Sequence, residues 1–442
     1  MKPFKQIHLL AALLLSGMTV CAQEEGAAQY SLSLSEALTM ARQNNKSVQV
    51  SGLEEKAAAA DYRDAKNLIF PTLNAGGTYQ RYSRVNLYQH GLNESTVVRR
   101  QPGPESAALG VDLAMNLYNG GKTKAVIEEN LYRRELARVN SEDQQGAVSL
   151  QTAMQYLDLV RLYHFRSLLE DQQKRAETRL RTITSFYENQ RVTKSDLLRA
   201  ELALSNVLLS KTQNENDILI GNRKLRILLN ISDDVTLKPT DSLLGGTLQE
   251  IVTDTITGAA ATAYAFQKVT LGQKIQEARI KNLRSNYYPS LSAFSAYGFN
   301  YPNSLFFRPI DQIYSVGFVG LRLNYTISSI YQNKHKIRAA RERLSGTDLQ
   351  KEHLKEMIEE DIAGLKIKYK EALNRIAVTE KSIEQSRVNF EIINTKYSNQ
   401  LALLTDLLDA DNLYQESRYS NINAQIGALI IYYRLRYTTG NL

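Results

Sequence analysis

Two aspartates, Asp406 and Asp409, are the residues of this 442-residue chain best placed to act on something outside it. At ~100° per residue they lie side by side on a helix, centred roughly 90° from a packing stripe of Leu403, Leu407 and Ala410. The pair can stay in solvent while the stripe is buried. Several such pairs around one axis would attract multivalent cations; the plainer reading is a solvated helix face. Asp196 matches Asp406 in an earlier, similar stretch, but it follows Thr193 at capping-box spacing and is expected to start a helix. Other candidates fail. Gly121-Lys122-Thr123 resembles the end of a phosphate loop, yet the earlier glycine position is Asn116. His8, His90, His164, His335 and His353 are isolated, without paired-ligand spacing. Most acids fall on helix faces among Lys and Arg. No catalytic residue, cofactor or metal site is expected, and the chain is not read as an enzyme.

Both aspartates close a stretch that the chain contains twice. Tyr187, Asn189, Gln190, Asp196, Leu197, Leu198 and Ala200 recur as Tyr397, Asn399, Gln400, Asp406, Leu407, Leu408 and Ala410, at a constant offset of 210 (397 − 187). This marks an internal duplication. Helical patterns flank each copy, so each reads as the bend of a helical hairpin. The tips, Asn189, Gln190, Arg191 and Asn399, Gln400, Leu401, offer polar and backbone groups to a docking partner, or merely turn the chain. Lys122 to about Tyr187 and about His335 to Tyr397 are helical without proline, each on the order of 100 Å long. The second carries a coiled-coil stripe from Ile362 through Leu365, Tyr369, Ala372 and Ile376 to Tyr397, continued after the bend by Leu403, Leu407, Ala410, Asn421, Ala424 and Leu435. The first keeps that register only in part, through Leu159, Leu162, Leu169, Leu180 and Ile183.

Each copy also holds a pair of strands. Leu109, Val111, Leu113, Met115 and Leu117 alternate with Gly110, Asp112, Ala114 and Asn116, and their partner is Leu73 to Ser83. In the second copy Val319, Leu321, Leu323, Tyr325 and Ile327 alternate with Gly320, Arg322, Asn324 and Thr326, after a strand beginning at Leu291. Strands of about ten residues with one apolar face suit a membrane barrel, with Val111, Leu113, Leu321 and Leu323 facing lipid; an amphipathic sheet packed on a core is the alternative. Four strands cannot close a barrel, so a barrel requires several chains. Helices are expected over 34–68, ended by Pro71, and over 258–286, ended by Pro289. Loops are expected over His90–Pro104 and around Pro302 and Pro309.

Composition sets the remaining bounds. The net charge of +8 is spread without a basic block, so nucleic acid is not an expected partner. Tyrosine is abundant (25) and tryptophan absent; tyrosine suits a membrane interface. Lys2 and Lys5, the apolar run Leu9–Leu15, and Val20-Cys21-Ala22 read as a signal peptide over 1–22. Cys21 could instead carry a lipid, but Val20 is large for that motif and cleavage after Ala22 is favoured. Repeat 1 is placed at 23–230 (strand pair about 72–118, tip 187–196), a linker at 231–250, and repeat 2 at 251–442 (strand pair about 290–327, tip 397–406). No stretch beyond the signal has the roughly 18 apolar residues of a spanning helix.

The ordered set of Leu34-Ser35-Glu36-Ala37-Leu38, Asn44-Asn45, Pro71-Thr72-Leu73, Leu117-Tyr118-Asn119-Gly120-Gly121 and the two bends resembles the TolC-like outer membrane efflux protein family over essentially the whole mature chain. The resemblance implies a mainly α fold with a small β part. It further implies a homotrimer whose helices form a periplasmic coiled-coil tunnel, continued by a twelve-stranded outer membrane β-barrel with four strands from each protomer. It implies an exit duct working with a periplasmic adaptor and an inner membrane transporter, and it places entrance aspartates at Asp406 and Asp409. The competing class is a periplasmic coiled-coil adaptor or scaffold without channel activity. Three departures stand out: Gln190 and Gln400 where the bend often has glycine, Ser328-Ser329 in place of a double glycine, and Ala402 where some members carry a locking arginine.

Overall fold

The computed structural model describes residues 28–83, 85–88, 90–98, 103–241, 260–302 and 311–442. The expected signal segment with Cys21, the loop residues Pro102 and Pro309, and Gly245-Gly246 of the expected linker lie outside them. In chain order the first half runs β1 (Ala28–Leu32), α1 (Leu34–Asn44), α2 (Lys46–Asn67), β2 (Thr72–Arg81), β3 (Val85–Leu87), β4 (Thr96–Val98), β5 (Glu105–Tyr118), α3 (Lys122–Glu188) and α4 (Lys194–Leu229). After β6 (Val235–Pro239) and a 3-10 turn at Ala260–Thr262 come α5 (Tyr264–Ser285), β7 (Ser290–Tyr301), β8 (Tyr314–Asn324), α6 (Ser329–Ser398) and α7 (Leu404–Thr438).

The helix expected over 34–68 is two helices, because Asn45 ends one and starts the next. Its N–H donates to Ala41 O (3.1 Å), its Oδ1 accepts from the Ser47 N–H (2.9 Å), and its Nδ2 donates to Leu228 O of α4 (2.9 Å). A buried asparagine thus satisfies two helix ends at once, which apolar spacing does not report. The segment expected as a linker contains β6, which pairs in parallel with β1. Beneath them the Tyr156 hydroxyl lies 2.8 Å from Leu32 O and 2.9 Å from Asp241 Oδ2; burial and that carboxylate raise its pKa well above the phenol range. The core around this point joins Leu32, Ala41, Leu159, Leu225, Leu229 and Leu237. The loop expected over His90–Pro104 carries β4, paired with β3.

The main sheet is antiparallel in the order β2-β5-β7-β8. Its register puts the apolar residues on one face: Leu73 opposite Leu113, Val111 opposite Tyr297, and Leu321 and Leu323 opposite Ala293 and Leu291. Among the described residues nothing covers that face. Leu73, Leu109, Val111, Leu113, Phe299, Val319, Leu321 and Leu323 are all exposed, and no residue of these four strands joins the three buried apolar clusters. Each strand continues into a helix, β2 from α2, β5 into α3, β7 from α5 and β8 into α6. The helices pack in the same order, α2 on α3, α3 on α5, α5 on α6. The two outer strands, β2 and β8, each keep an edge without a strand partner among the described residues.

The long helices have 67 residues (α3) and 70 (α6). On α6 the expected stripe is buried or half-buried throughout, with Ile362, Leu365, Ala372 and Thr379 buried. Its partial register on α3 has a physical cause: α3 packs against α1, α2, α4, α5 and α7, so it is buried on several sides. Among the described residues no helix is long and apolar enough to cross a membrane.

Candidate functional site

The two bends form the same way. In α3 the Gln190 N–H donates to Tyr187 O (2.9 Å) and the Arg191 N–H to Phe186 O (2.8 Å); in α6 the Gln400 N–H donates to Tyr397 O (3.0 Å) and the Leu401 N–H to Lys396 O (2.8 Å). These are Schellman ends, which need a left-handed residue just past the helix. Gln190 (φ 57°) and Gln400 (φ 62°) supply it at the positions where glycine would fit more easily. Asn189 and Asn399 turn their Nδ2 inward to Ser185 O (2.7 Å) and Thr395 O (2.9 Å). Gln190, Arg191, Gln400 and Leu401 remain exposed at the tip. The structure brings the two tips together through Ile183, Ala200 and Leu404, flanked by Val192, Leu197 and Tyr397. Burial raises the Tyr397 hydroxyl pKa, aided by the Asp196 charge. From the tip to Val111, Leu113, Leu321 and Leu323 is the length of α3, on the order of 100 Å.

Asp406 and Asp409 are both exposed, on the first turns of α7. Asp406 also caps the helix: its Oδ2 accepts from the Leu403 N–H (3.0 Å), as Asp196 Oδ2 does from Thr193 (3.1 Å). The two copies thus use the same carboxylate in the same way, and the capping role expected of Asp196 alone belongs to both. Leu403 is not part of the packing stripe. It precedes the first helical turn and is 70% exposed, and the buried residues are Leu404, Leu407 and Ala410. Ala402, at this tip, has no side chain that could tie α7 to a neighbour.

A tie lies two turns deeper, at residues the apolar pattern passes over. Asp411, 3% exposed, accepts from Arg179 Nη2 (2.7 Å) and Arg175 Nε (3.3 Å), joining α7 to α3. One turn on, Gln415 is 3% exposed with neither amide atom partnered, and Arg175 Nη2 is likewise buried without a partner. Apolar contacts seal the hairpins to each other above and below; between lies this polar stretch. Its signal in the sequence is a run of polar residues, Asp411 and Gln415, on the spacing that begins at Leu404. Among the described residues no group of three or more His, Cys, Asp or Glu is placed to hold a metal ion.

Comparison with known proteins agrees with this architecture. The outer membrane protein VceC from Vibrio cholerae superposes with a TM-score of 0.76 at 15% identity, covering 92% of this chain and 96% of that one. CmeC from Campylobacter jejuni gives 0.75 at 15% identity, covering 92% and 85%. MtrE from Neisseria gonorrhoeae, solved in its open state, gives 0.72 at 17% identity, covering 92% and 88%. At these identities the likeness establishes the fold. A search of curated proteins gives no match. Residues 37–230, which run from the buried face of α1 through the sheet's first two strands to the end of the α3/α4 hairpin, match the family model described as outer membrane efflux protein. That match takes in less than half of the chain, while the shared fold extends over 92% of its length.

Proposed function

We propose that the chain is the outer membrane channel of a tripartite export system, assembled as a homotrimer with a periplasmic adaptor and an inner membrane transporter. One observation carries the reading: a sheet whose apolar face is open and whose two outer edges are unpaired among the described residues is continued, strand for strand, by helices in the same order. Three copies joined edge to edge give twelve strands above and a helical tunnel below, which covers every edge. The internal duplication accounts for the recurring order of helix, strand pair and hairpin. Asp406 and Asp409 from three protomers put six carboxylates at the periplasmic entrance, and the tips at Asn189–Arg191 and Asn399–Leu401 meet the adaptor. An adaptor without channel activity has no use for an open apolar sheet. The test is fractionation of cells expressing the full chain, followed by planar bilayer recording of the purified protein. Outer membrane location, a heat-sensitive trimer and cation-blocked conductance are expected; a monomer in the periplasmic fraction overturns the reading.

A further inference from the structure

Where α2 turns into β2, Leu68, Ile69 and Phe70 are half or more exposed, three large apolar residues in a row. They wall two adjoining clefts of about 470 and 480 Å³ that share Ile69 and Ile127. Leu117 and Tyr118, at the end of β5, line the same space. The β5 ladder slips there, so that Tyr118 stands opposite Leu291, itself opposite Leu323. The cleft therefore opens at the helical end of the apolar sheet face. Arg63, Lys66 and Lys124 line it on the helix side. Glu128 and Glu129, the nearest acids on α3, are already committed to Lys281 and to Arg133 and Arg279, and no acid lines either cleft. Lys66 is held over the Tyr62 ring at 4.6 Å, with Arg134 over the same ring at 4.9 Å.

We infer that this cleft binds an anionic phospholipid of the leaflet facing the periplasm, its acyl chain along Ile69, Leu117 and Ile127 and its phosphate at Arg63, Lys66 and Lys124. The inference rests on the barrel reading, which puts the sheet in lipid and the cleft at the membrane boundary. Basic side chains at such a boundary attract anionic headgroups, and an aromatic such as Tyr118 or Phe70 suits the interface. A zwitterionic lipid offers the same chain with no net charge, so charge is the discriminating feature.

The experiment is native mass spectrometry of the detergent-purified full-length protein, titrated with phosphatidylglycerol or phosphatidylethanolamine. A preference for phosphatidylglycerol of roughly tenfold or more is expected. It should vanish in the triple variant Arg63→Gln, Lys66→Gln, Lys124→Gln and persist in Lys355→Gln, Lys366→Gln, Arg375→Gln, which removes three exposed cations far down α6. All six are surface residues, so folding is not at stake. Equal binding of the two lipids by the parent, or a preference that survives the first variant, overturns the inference. So does protection of Ile69→Cys from a thiol reagent in lipid-free protein, which would show a second copy covering the cleft. Fractionation of the same cells separates the two readings. Outer membrane trimers without lipid preference sink the lipid site alone, whereas their absence sinks the barrel and the site with it.

Discussion

Gln190 and Gln400 hold a backbone conformation that costs an L residue on the order of 1 to 2 kcal/mol. Glycine at either position should recover about 1 kcal/mol, read as several-fold slower amide exchange over 186–191 or 396–401. At Asp406 the structure changes how the proposed gate must be tested. Alanine there would remove a helix cap worth about 1 kcal/mol along with the charge, whereas asparagine still accepts from the Leu403 N–H. Asp406→Asn with Asp409→Asn should therefore keep the fold and weaken block by a trivalent cation added on the periplasmic side; undiminished block would move the ring elsewhere. Of these residues, sequence reveals the bends, because their side chains repeat. Leu403 misleads it, since spacing alone cannot say that a helix begins one residue later. Asp411 shows in sequence only as a polar residue on an apolar spacing, because its meaning depends on Arg175 and Arg179, far away in the chain.

Between elements, the contact of α7 with α3 combines a buried ion pair with unpaired polar atoms, so single substitutions there can shift the hairpins in either direction. Unpaired buried polar atoms cost about 1 to 3 kcal/mol each, and Gln415 and Arg175 leave such atoms in this stretch. Gln415→Leu removes two of them and should hold the hairpins together, lowering open probability in single-channel records. Asp411→Ala leaves Arg179 buried without its partner, a loss of about 3 to 5 kcal/mol, and should raise open probability. Shifts of the same sign in both variants would exclude the seam as a gate. The strands make a separate prediction: Leu113→Arg or Leu321→Arg should impair outer membrane assembly more than Asn116→Arg or Asn324→Arg, since a midplane charge facing lipid costs about 2 to 4 kcal/mol. Equal assembly of all four would remove the barrel. Alternation made the strands and their apolar face legible in sequence. It could not reveal β1 and β6, whose pairing joins segments some 200 residues apart (235 − 28), nor the break at Asn45, a matter of hydrogen bonds. The double glycine absent from the second copy is explained by backbone: Gly120 and Gly121 need φ of 64° and 84°, while Ser328 sits at −62° and needs no glycine.

At the scale of the molecule, the fold separates two jobs by the length of a helix. Among the described residues the sheet at one end has an open apolar face and two free edges; the tips at the other end have already satisfied their own helix ends. Asn189 and Asn399 are engaged inward, so any partner docking at the tips must read Gln190, Arg191, Gln400 and Leu401, together with the backbone of the left-handed turns. Leu401, 77% exposed, is the sole large apolar residue among these four, and it differs from Arg191 in the otherwise matching bend. The two tips therefore present unlike surfaces, one cationic and one apolar, and an adaptor contacting a trimer would meet them alternately. Photocrosslinkers at Gln190 and Gln400 in intact cells should capture the adaptor, and Leu401→Asp should reduce capture at Gln400 more than at Gln190. Capture only from a mid-helix position such as Ile376 would place docking on the tunnel wall instead, while equal loss at both tips would show that the partner does not tell the two bends apart.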